Sequence, residues 1–344
     1  MTTLLDVSRR AGVSKTTVSR VMNGKGRISQ ATRDAVFKAI EELNYRPNVL
    51  AQSLSNQTTN SVGLILPSGY HSSQSVMEIM DLAHAMARES NKFLIITQTD
   101  TNNIESGIRS INQLVDRRCD GILYYKTSHI EAGNGEEQLS NLIDELPIPL
   151  VVINYKLKDK PNNYVWYDQV EAESLAVNKL LELGHRKIAY ICGPMNINTS
   201  RQRFEGYKQS LNKSGIEIDP FLIVEAPSSF DGGYTACQQL LQRQVEFTAI
   251  ACHSDAIAIG ALKALQQEGI PVPETISIFG FGNDDISTYT NPSISSVKLP
   301  VNDIVQRACK MLFKKMENIE CDLHLLDDIH GELVLRDSIK EITL

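Results

Sequence analysis

Four polar side chains near the amino terminus, Lys15, Thr16, Ser19 and Arg20, share one side of a helical repeat, with Val18 and Val21 on the other. An ammonium, two hydroxyls and a guanidinium on one exposed stripe can donate to phosphates and base edges, and the Arg20 fork can take a guanine edge bidentately. A plain surface helix, charged for solubility, would carry the same stripe. Catalytic chemistry has less to draw on. The sequence has no GxxxxGK[ST], GxSxG or HExxH run, and Gly280-Phe281-Gly282 lacks the third glycine of a dinucleotide loop. The seven histidines do not cluster, and His253 beside Ser254 reads as a cleft-lining or packed residue rather than a base. The six cysteines (Cys119, Cys192, Cys237, Cys252, Cys309, Cys321) form no CxxC pair, as expected of reduced, mostly buried thiols. Neither an enzyme nor a metal or cofactor site is expected.

The elements that would position the polar stripe are marked by punctuation. Thr3 can cap a helix over 4–11 and Ser14 one over 15–23; Gly12 breaks the first and Gly24 stops the second. Ser29 opens a third over 30–43, where Val36, Phe37, Ile40 and Leu43 fall on one face and Val7, Val13, Val18 and Val21 supply the matching surface. Two helices separated by Ala11-Gly12-Val13-Ser14 have helix-turn-helix spacing, in which the second projects into the major groove, Lys15 and Thr16 leading. Charge divides the same way. Residues 1–60 hold nine Lys/Arg against four Asp/Glu, while the whole chain carries −7. A basic head on an acidic body suits phosphate neutralisation, although a chance cluster on a solvated face gives the same count.

Beyond the head, 344 residues at 42% hydrophobic predict more than one core. Pro47 pre-sets a helical start, but the stretch 48–55 is shorter than the roughly 12 to 15 residues an isolated helix needs in water. It should order only against DNA and a partner copy, with Leu54 free to wedge between base steps of the minor groove; a loose linker is the alternative. From residue 61 short apolar runs (62–66, 93–97, 121–125, 150–154) alternate with helical stretches (76–89, 104–118), the signature of a parallel sheet covered on both faces. After the polar stretch 156–163 the alternation restarts with 165–167, 188–192, 250–252 and 276–281. Two α/β halves with a cleft between them follow, and ligands of such sheets bind beyond the strands' carboxyl ends. No apolar run approaches the roughly 18 residues that span a membrane, and the amino terminus lacks signal-peptide regions, so a cytoplasmic protein without membrane contact is expected.

The run from Leu5 to Gly24 resembles the DNA-binding signature of the LacI/GalR regulators along its whole length, and Tyr45-Arg46-Pro47-Asn48-Val49-Leu50-Ala51-Gln52-Ser53-Leu54 resembles a second signature of that family. The resemblance implies a helix-turn-helix head (1–46), a hinge helix and linker (47–60), and a core (61–344) similar to periplasmic binding proteins, with two doubly wound parallel-sheet subdomains. As the chain then crosses between halves three times, the subdomains are expected at 61–158 with 291–318, and at 162–290 with 319–344. Lys15, Thr16 and Arg20 match the family's base-reading positions and Leu54 its hinge leucine; Ser14, Thr17, Ser19, Asn23 and Asn48 complete the expected DNA-binding set.

In the core, Arg203-Phe204-Glu205-Gly206 matches a segment where the family places an effector-binding arginine three residues before a glycine. Ser254 stands where many members have Asn facing the ligand. Gly282 occupies a place commonly acidic, leaving Asn283 or Asp284 to take over. With Thr199, Ser228, Asn154 at a strand end, and Tyr70 and His71 in the loop 68–75, these make the expected effector site. Segments 178–215 and 247–300 look most like repressors of β-glucoside and galactoside operons. The implied function is a homodimeric repressor of a carbohydrate operon, released from near-palindromic operator DNA by a sugar or glycoside. The alternatives are a regulator that needs a corepressor such as a nucleobase, and a sugar-binding protein with no DNA role.

Overall fold

Local capping chemistry sets the first three helices. In the computed structural model, which describes residues 2–22, 24, 26–45, 58–68, 74–99, 104–126, 135–319 and 329–342, α1 spans Leu4–Ala11. The Thr3 hydroxyl accepts from the Asp6 N–H at 3.4 Å and the Asp6 carboxylate accepts from the Thr3 N–H at 2.9 Å, a reciprocal box that satisfies donors of the first turn. Gly12 ends α1 at φ +66°, a left-handed conformation open to a residue without Cβ. Ser14 caps α2 (Lys15–Met22), accepting from the Thr17 N–H at 3.1 Å. Ser29 caps α3 (Gln30–Glu42) by accepting from Thr32 at 3.3 Å. Val7, Val18, Val21, Val36 and Ala39 form the buried centre of this head. Phe37, expected on the same face, is 54% exposed. One residue step turns it by about 100° from Val36, past the edge of the contact surface.

The chain divides into two compact units, Met1–Thr59 and Asn60–Leu344. The second unit holds two sheets. In the first, β1 (Ser61–Pro67), β2 (Phe93–Thr99), β3 (Gly121–Tyr125), β4 (Leu150–Ile153) and β5 (Tyr164–Val165) run parallel in the order β2-β1-β3-β4-β5. Helices α4 (Gln74–Glu89), α5 (Ile104–Asp116) and α6 (Gly135–Glu145) lie between its strands in sequence. The second sheet is ordered β11-β10-β9-β8-β6-β7, from β6 (Ile188–Cys192), β7 (Ile223–Glu225), β8 (Ala249–Cys252), β9 (Ser277–Gly282), β10 (Ser295–Lys298) and β11 (Glu332–Val334). Only β11 is antiparallel among its described pairings. Its helices are α7 (Gln169–Glu182), α8 (Asn198–Lys213), α9 (Phe230–Gln242) and α10 (Asp255–Gln267), while α11 (Val301–Met316) packs on α4, β3 and β4 of the first half. Every residue of β1 and β6 is buried, as continuous apolar strands covered on both faces require.

The crossings fall later than the sequence pattern suggests. β5 pairs with β4, so the chain leaves the first sheet only after Val165, not near 160. β10 pairs with β9 and belongs to the second sheet, so the return to the first half comes at about 299–300 rather than 291. A two-residue strand such as Tyr164–Val165 carries no local mark of which sheet it will join; pairing with Val152 and Ile153 decides that.

Candidate DNA-reading face and effector cleft

Along α2 the expected reading residues Lys15, Thr16 and Arg20 are exposed while Val18 and Val21 are buried. Ser14 is exposed, and Thr17 and Ser19 are partly covered. The Ser14 and Thr17 hydroxyls sit 2.9 Å apart within the cap, so part of their hydrogen-bonding capacity is already committed. Arg10 joins α1 to α3 through Glu42 at 2.6 Å, an exposed pair that adds little stability but fixes a side-chain position. Asn23, Asn48 and Leu54 lie outside the described residues.

In the core a hydrogen-bonded chain connects the carboxyl ends of the two sheets. Asn154 follows β4 at φ +66°, is buried, and donates its N–H to Val165 O at 2.8 Å. Its side-chain amide donates to the Tyr125 hydroxyl at 3.4 Å and accepts from Gln169 Nε2 at 3.1 Å. Gln169 Oε1 accepts from Arg203 Nε at 2.9 Å, and Arg203 Nη1 donates to the His253 carbonyl at 2.7 Å. The guanidinium carbon stands 3.7 Å from the ring centroid of Phe281, the face-on geometry of a cation–π contact. Gln169 of α7, the His253 carbonyl just past β8 and the Phe281 ring of β9 thus converge on one arginine, and Gln169 links it on to Asn154 and Tyr125.

The surroundings of this arginine are buried and electrostatically unusual. Burial pushes the Glu173 carboxyl up to about 8 although Arg203 pulls it down, so the acid is largely neutral at pH 7. The Tyr190 hydroxyl lies near the Glu173 carboxyl and favours its ionised form, yet Glu173 Oε2 and the Tyr190 hydroxyl make no well-formed hydrogen bond. His253 is held well below its ordinary value by burial and by Arg203, and its Nδ1 is likewise unpartnered. Gly193 lies against the His253 ring so closely that a Cβ there would sit 2.7 Å from Nε2. Asp255, buried, accepts from the Ser296 hydroxyl and from the Asp284 N–H, both at 2.7 Å. Burial, then the neighbouring Asp255 and Asp285, lift Asp284 to about 7.

Residues 3–48 match the family model of bacterial regulatory proteins, lacI family, and residues 177–339 match that of the periplasmic binding protein-like domain. The HTH-type transcriptional regulator AscG of Escherichia coli (strain K12) is 36% identical over 339 residues, 98% of each chain. The chain belongs to the lacI family. The HTH-type transcriptional repressor PurR of Pasteurella multocida is 31% identical over 99% of both chains, and GalR of E. coli 33% identical over 92% of this chain and 90% of its own. Among solved structures, the E. coli repressor ascG matches with a TM-score of 0.73 at 31% identity, over 81% of this chain and 99% of its own. A lac repressor dimer bound to operator and the anti-inducer ONPF shares the fold at a TM-score of 0.87 and 23% identity, over 98% and 99%. These relatives are transcription regulators rather than enzymes, and the chain is a LacI-family transcriptional repressor.

Of the effector positions expected in this LacI-family core, the structure brings Asn154 and Arg203 together through Gln169. Thr199 is in the first turn of α8, one turn ahead of Arg203. The Ser254 hydroxyl caps α10, accepting from Ile257 at 3.3 Å, and Ser228 is exposed just before the α9 cap Ser229. Asn283 Oδ1 accepts from Arg336 Nη2 at 2.6 Å, which ties it to the chain's last segment. Tyr70 and His71 lie outside the described residues. Sequence reasoning passed over Gln169 and Glu173; both follow the α7 cap Asp168, and only the fold shows that this turn faces Arg203. The thiols of Cys119, Cys192, Cys237, Cys252 and Cys309 are buried and free, as expected, and Cys321 is outside the described residues. No helix among the described residues is long and apolar enough to cross a membrane.

Proposed function

We propose that this repressor controls a carbohydrate-utilisation operon and is released from its operator by a sugar or glycoside bound at the Arg203 cleft. The observation that carries the reading is the convergence of Asn154, Gln169, Arg203 and the His253 carbonyl at the carboxyl ends of two parallel sheets, where such folds bind ligands. A planar guanidinium over an aromatic ring, flanked by amides, suits a ligand rich in oxygen acceptors. A ribose operon repressor of Haemophilus influenzae at 29% identity, and a CelR–cellobiose complex at 26% identity and a TM-score of 0.69, favour the carbohydrate class.

On the DNA side, Lys15, Thr16 and Arg20 read base edges in the major groove, with Ser14, Thr17, Ser19 and Asn23 beside them. Asn48 and Leu54 serve the hinge. Two copies of the head place two recognition helices on a near-palindromic operator. Because a ligand shifts an equilibrium only through differential affinity, the inducer binds the DNA-free form better.

Fluorescence anisotropy of an operator fragment, titrated with the repressor in the presence and absence of candidate sugars and glycosides, tests this reading. A weaker complex on adding ligand is expected. Tightening by a nucleobase, in the manner of a corepressor, would replace the inducer reading.

A further inference from the structure

Arg203 carries a positive charge with no ion-pair partner among the described residues. Its two well-formed hydrogen bonds, at Nε and Nη1, both go to neutral acceptors, and the Tyr167 hydroxyl also lies near it. The carboxylates close by in sequence are otherwise committed. Asp168 caps α7 through the N–H groups of Val170 and Glu171, Glu171 pairs with His330 at 2.9 Å, and Glu205 pairs with Lys208 at 2.5 Å. Glu173, 1% exposed, is a buried carboxyl that feels the charge of the guanidinium, and its Oε2 makes no well-formed hydrogen bond. A buried carboxylate in that state would be strongly disfavoured; the neutral acid is not, and burial indeed holds it up to about 8. Gly282, next to the Phe281 ring that Arg203 covers, adds no side chain of its own, and the Asp284 carboxyl lies 3.5 Å from where its Cβ would stand.

We infer that the cleft takes an anionic effector, with an oxyanion, either a phosphate ester or a carboxylate, seated as the counter-ion of Arg203. This rests on the reading of the cleft as the effector site. The remaining N–H donors of the guanidinium form the fork that such oxyanions match in bidentate fashion. The neutral Glu173 keeps that fork free, because an ionised Glu173 would compete for the same charge. Proton release from Glu173 and anion binding therefore oppose each other, and the coupling is reciprocal.

The other titratable groups around the pair change little between pH 7.5 and 9. Burial lifts the phenols of Tyr167, ahead of α7, and of Tyr190 on β6 and Tyr207 on α8. It also lifts the thiols of Cys192 and Cys252, and keeps His253 neutral. On the β9 side Asp284, near 7, is mostly ionised throughout that interval.

Sulfate is the direct probe, since its charge is constant over this range. Thermal shifts of the full-length protein in sodium sulfate, balanced with chloride to fixed ionic strength, should show stabilisation at pH 7.5 that Arg203→Gln abolishes. Sulfate affinity should fall about tenfold towards pH 9 in the native protein and stay flat in Glu173→Gln. If Arg203→Gln does not fold, the comparison of native protein with Glu173→Gln across pH still decides. D-Glucose 6-phosphate and D-glucuronate then distinguish the two oxyanion sources, with D-glucose and methyl β-D-glucoside as neutral counterparts. Stabilisation by either anion in preference to the neutral sugars supports the inference. No sulfate shift, a shift that survives Arg203→Gln, or a pH dependence unchanged in Glu173→Gln overturns it. Binding of neutral glycosides alone overturns it but leaves the proposed carbohydrate function standing. Arg203-dependent sulfate binding with no response to any sugar keeps the anion site and removes the carbohydrate reading.

Discussion

Arg20 and Arg203 are the same side chain in opposite settings. Arg20 stands exposed on α2, above a centre of five buried residues, and makes no hydrogen bond or ion pair with the described residues. Arg203 is half-buried, tied at Nε and Nη1, and laid over Phe281 at 3.7 Å. An exposed arginine keeps all its donors for a partner that arrives from outside, at the entropic cost of ordering a mobile chain on binding. A tethered one has that cost met on folding, and its two bonded acceptors make it part of the fold as well as of the proposed site. The difference predicts that losses at Arg203 reach both ligand binding and stability, whereas losses at Arg20 stay confined to DNA.

The largest effect is therefore expected from Arg203→Ala. It removes the fork and leaves Gln169 Oε1 and the His253 carbonyl without their donors. Effector affinity should fall by about 2–5 kcal/mol, with the core also destabilised, while operator affinity without effector is retained. Anisotropy titrations with and without effector, beside thermal melts, measure the three quantities. An Arg203→Ala protein that still responds to effector at native concentrations would place the site elsewhere.

Glu173→Gln sharpens the same contrast through pH. The Glu173 carboxyl is raised in the fold, from 4.5 to about 8, so its contribution to stability is complete below pH 4.5 and is lost as pH rises to 8. His253, lowered in the fold, acts in the opposite sense: its contribution is present above its ordinary 6.5 and is lost on acidification. Glu173→Gln should stabilise the core at pH 8 by about 2–3 kcal/mol and remove the alkaline fall without altering the acid limb. Denaturant midpoints from pH 5 to 9 give the comparison, and an unaltered alkaline fall would mean that Glu173 is already ionised.

Which of these features the sequence disclosed follows from how local their causes are. Thr3, Ser14 and Ser29 announced their helices because a cap is settled within about four residues, and all three helix starts agree with the structure. Arg203 and Asn154 were marked by resemblance and by a strand end. Glu173 was not legible, since it comes near Arg203 and Tyr190 only after α7, α8 and β6 have packed, and it stands in no motif. Gln169 was hidden for the same reason. The later crossings at Val165 and at 299–300 depended on which strand Tyr164 and Ser295 would pair with, a non-local choice. Phe37 shows the limit of periodicity itself: the spacing that puts Val36 inside leaves its neighbour more than half exposed.

Arg20→Ala tests the exposed half of the comparison. With no described residue bonded to its guanidinium, the fold should be unaffected, and the loss should appear as about 1–3 kcal/mol at one operator base pair with relaxed discrimination there. Binding to operators substituted one base pair at a time reads this directly. A uniform loss across all sequences would reassign Arg20 to a phosphate.

The smallest effect belongs to Thr3→Ala, which alters no reading residue but removes the capping box of α1. The Asp6 carboxyl is held below its ordinary 3.8 first by its hydrogen bonds with the Thr3 side chain and backbone, and burial opposes this only in part. Losing the hydroxyl should cost the head about 1 kcal/mol, seen as faster hydrogen exchange in the first turn of α1. It should also let Asp6 titrate nearer 3.8, because one of the groups that favours the carboxylate has gone. The carboxylate's share of the cap is present above the ordinary Asp value and is lost as pH falls through the lowered one, so the difference between native protein and variant should narrow in strong acid to what the bond from the Asp6 N–H to the Thr3 hydroxyl supplies. An Asp6 titration identical in the two proteins would show that the hydroxyl does not hold the carboxylate in solution, and that α1 is set by the Val7 packing alone.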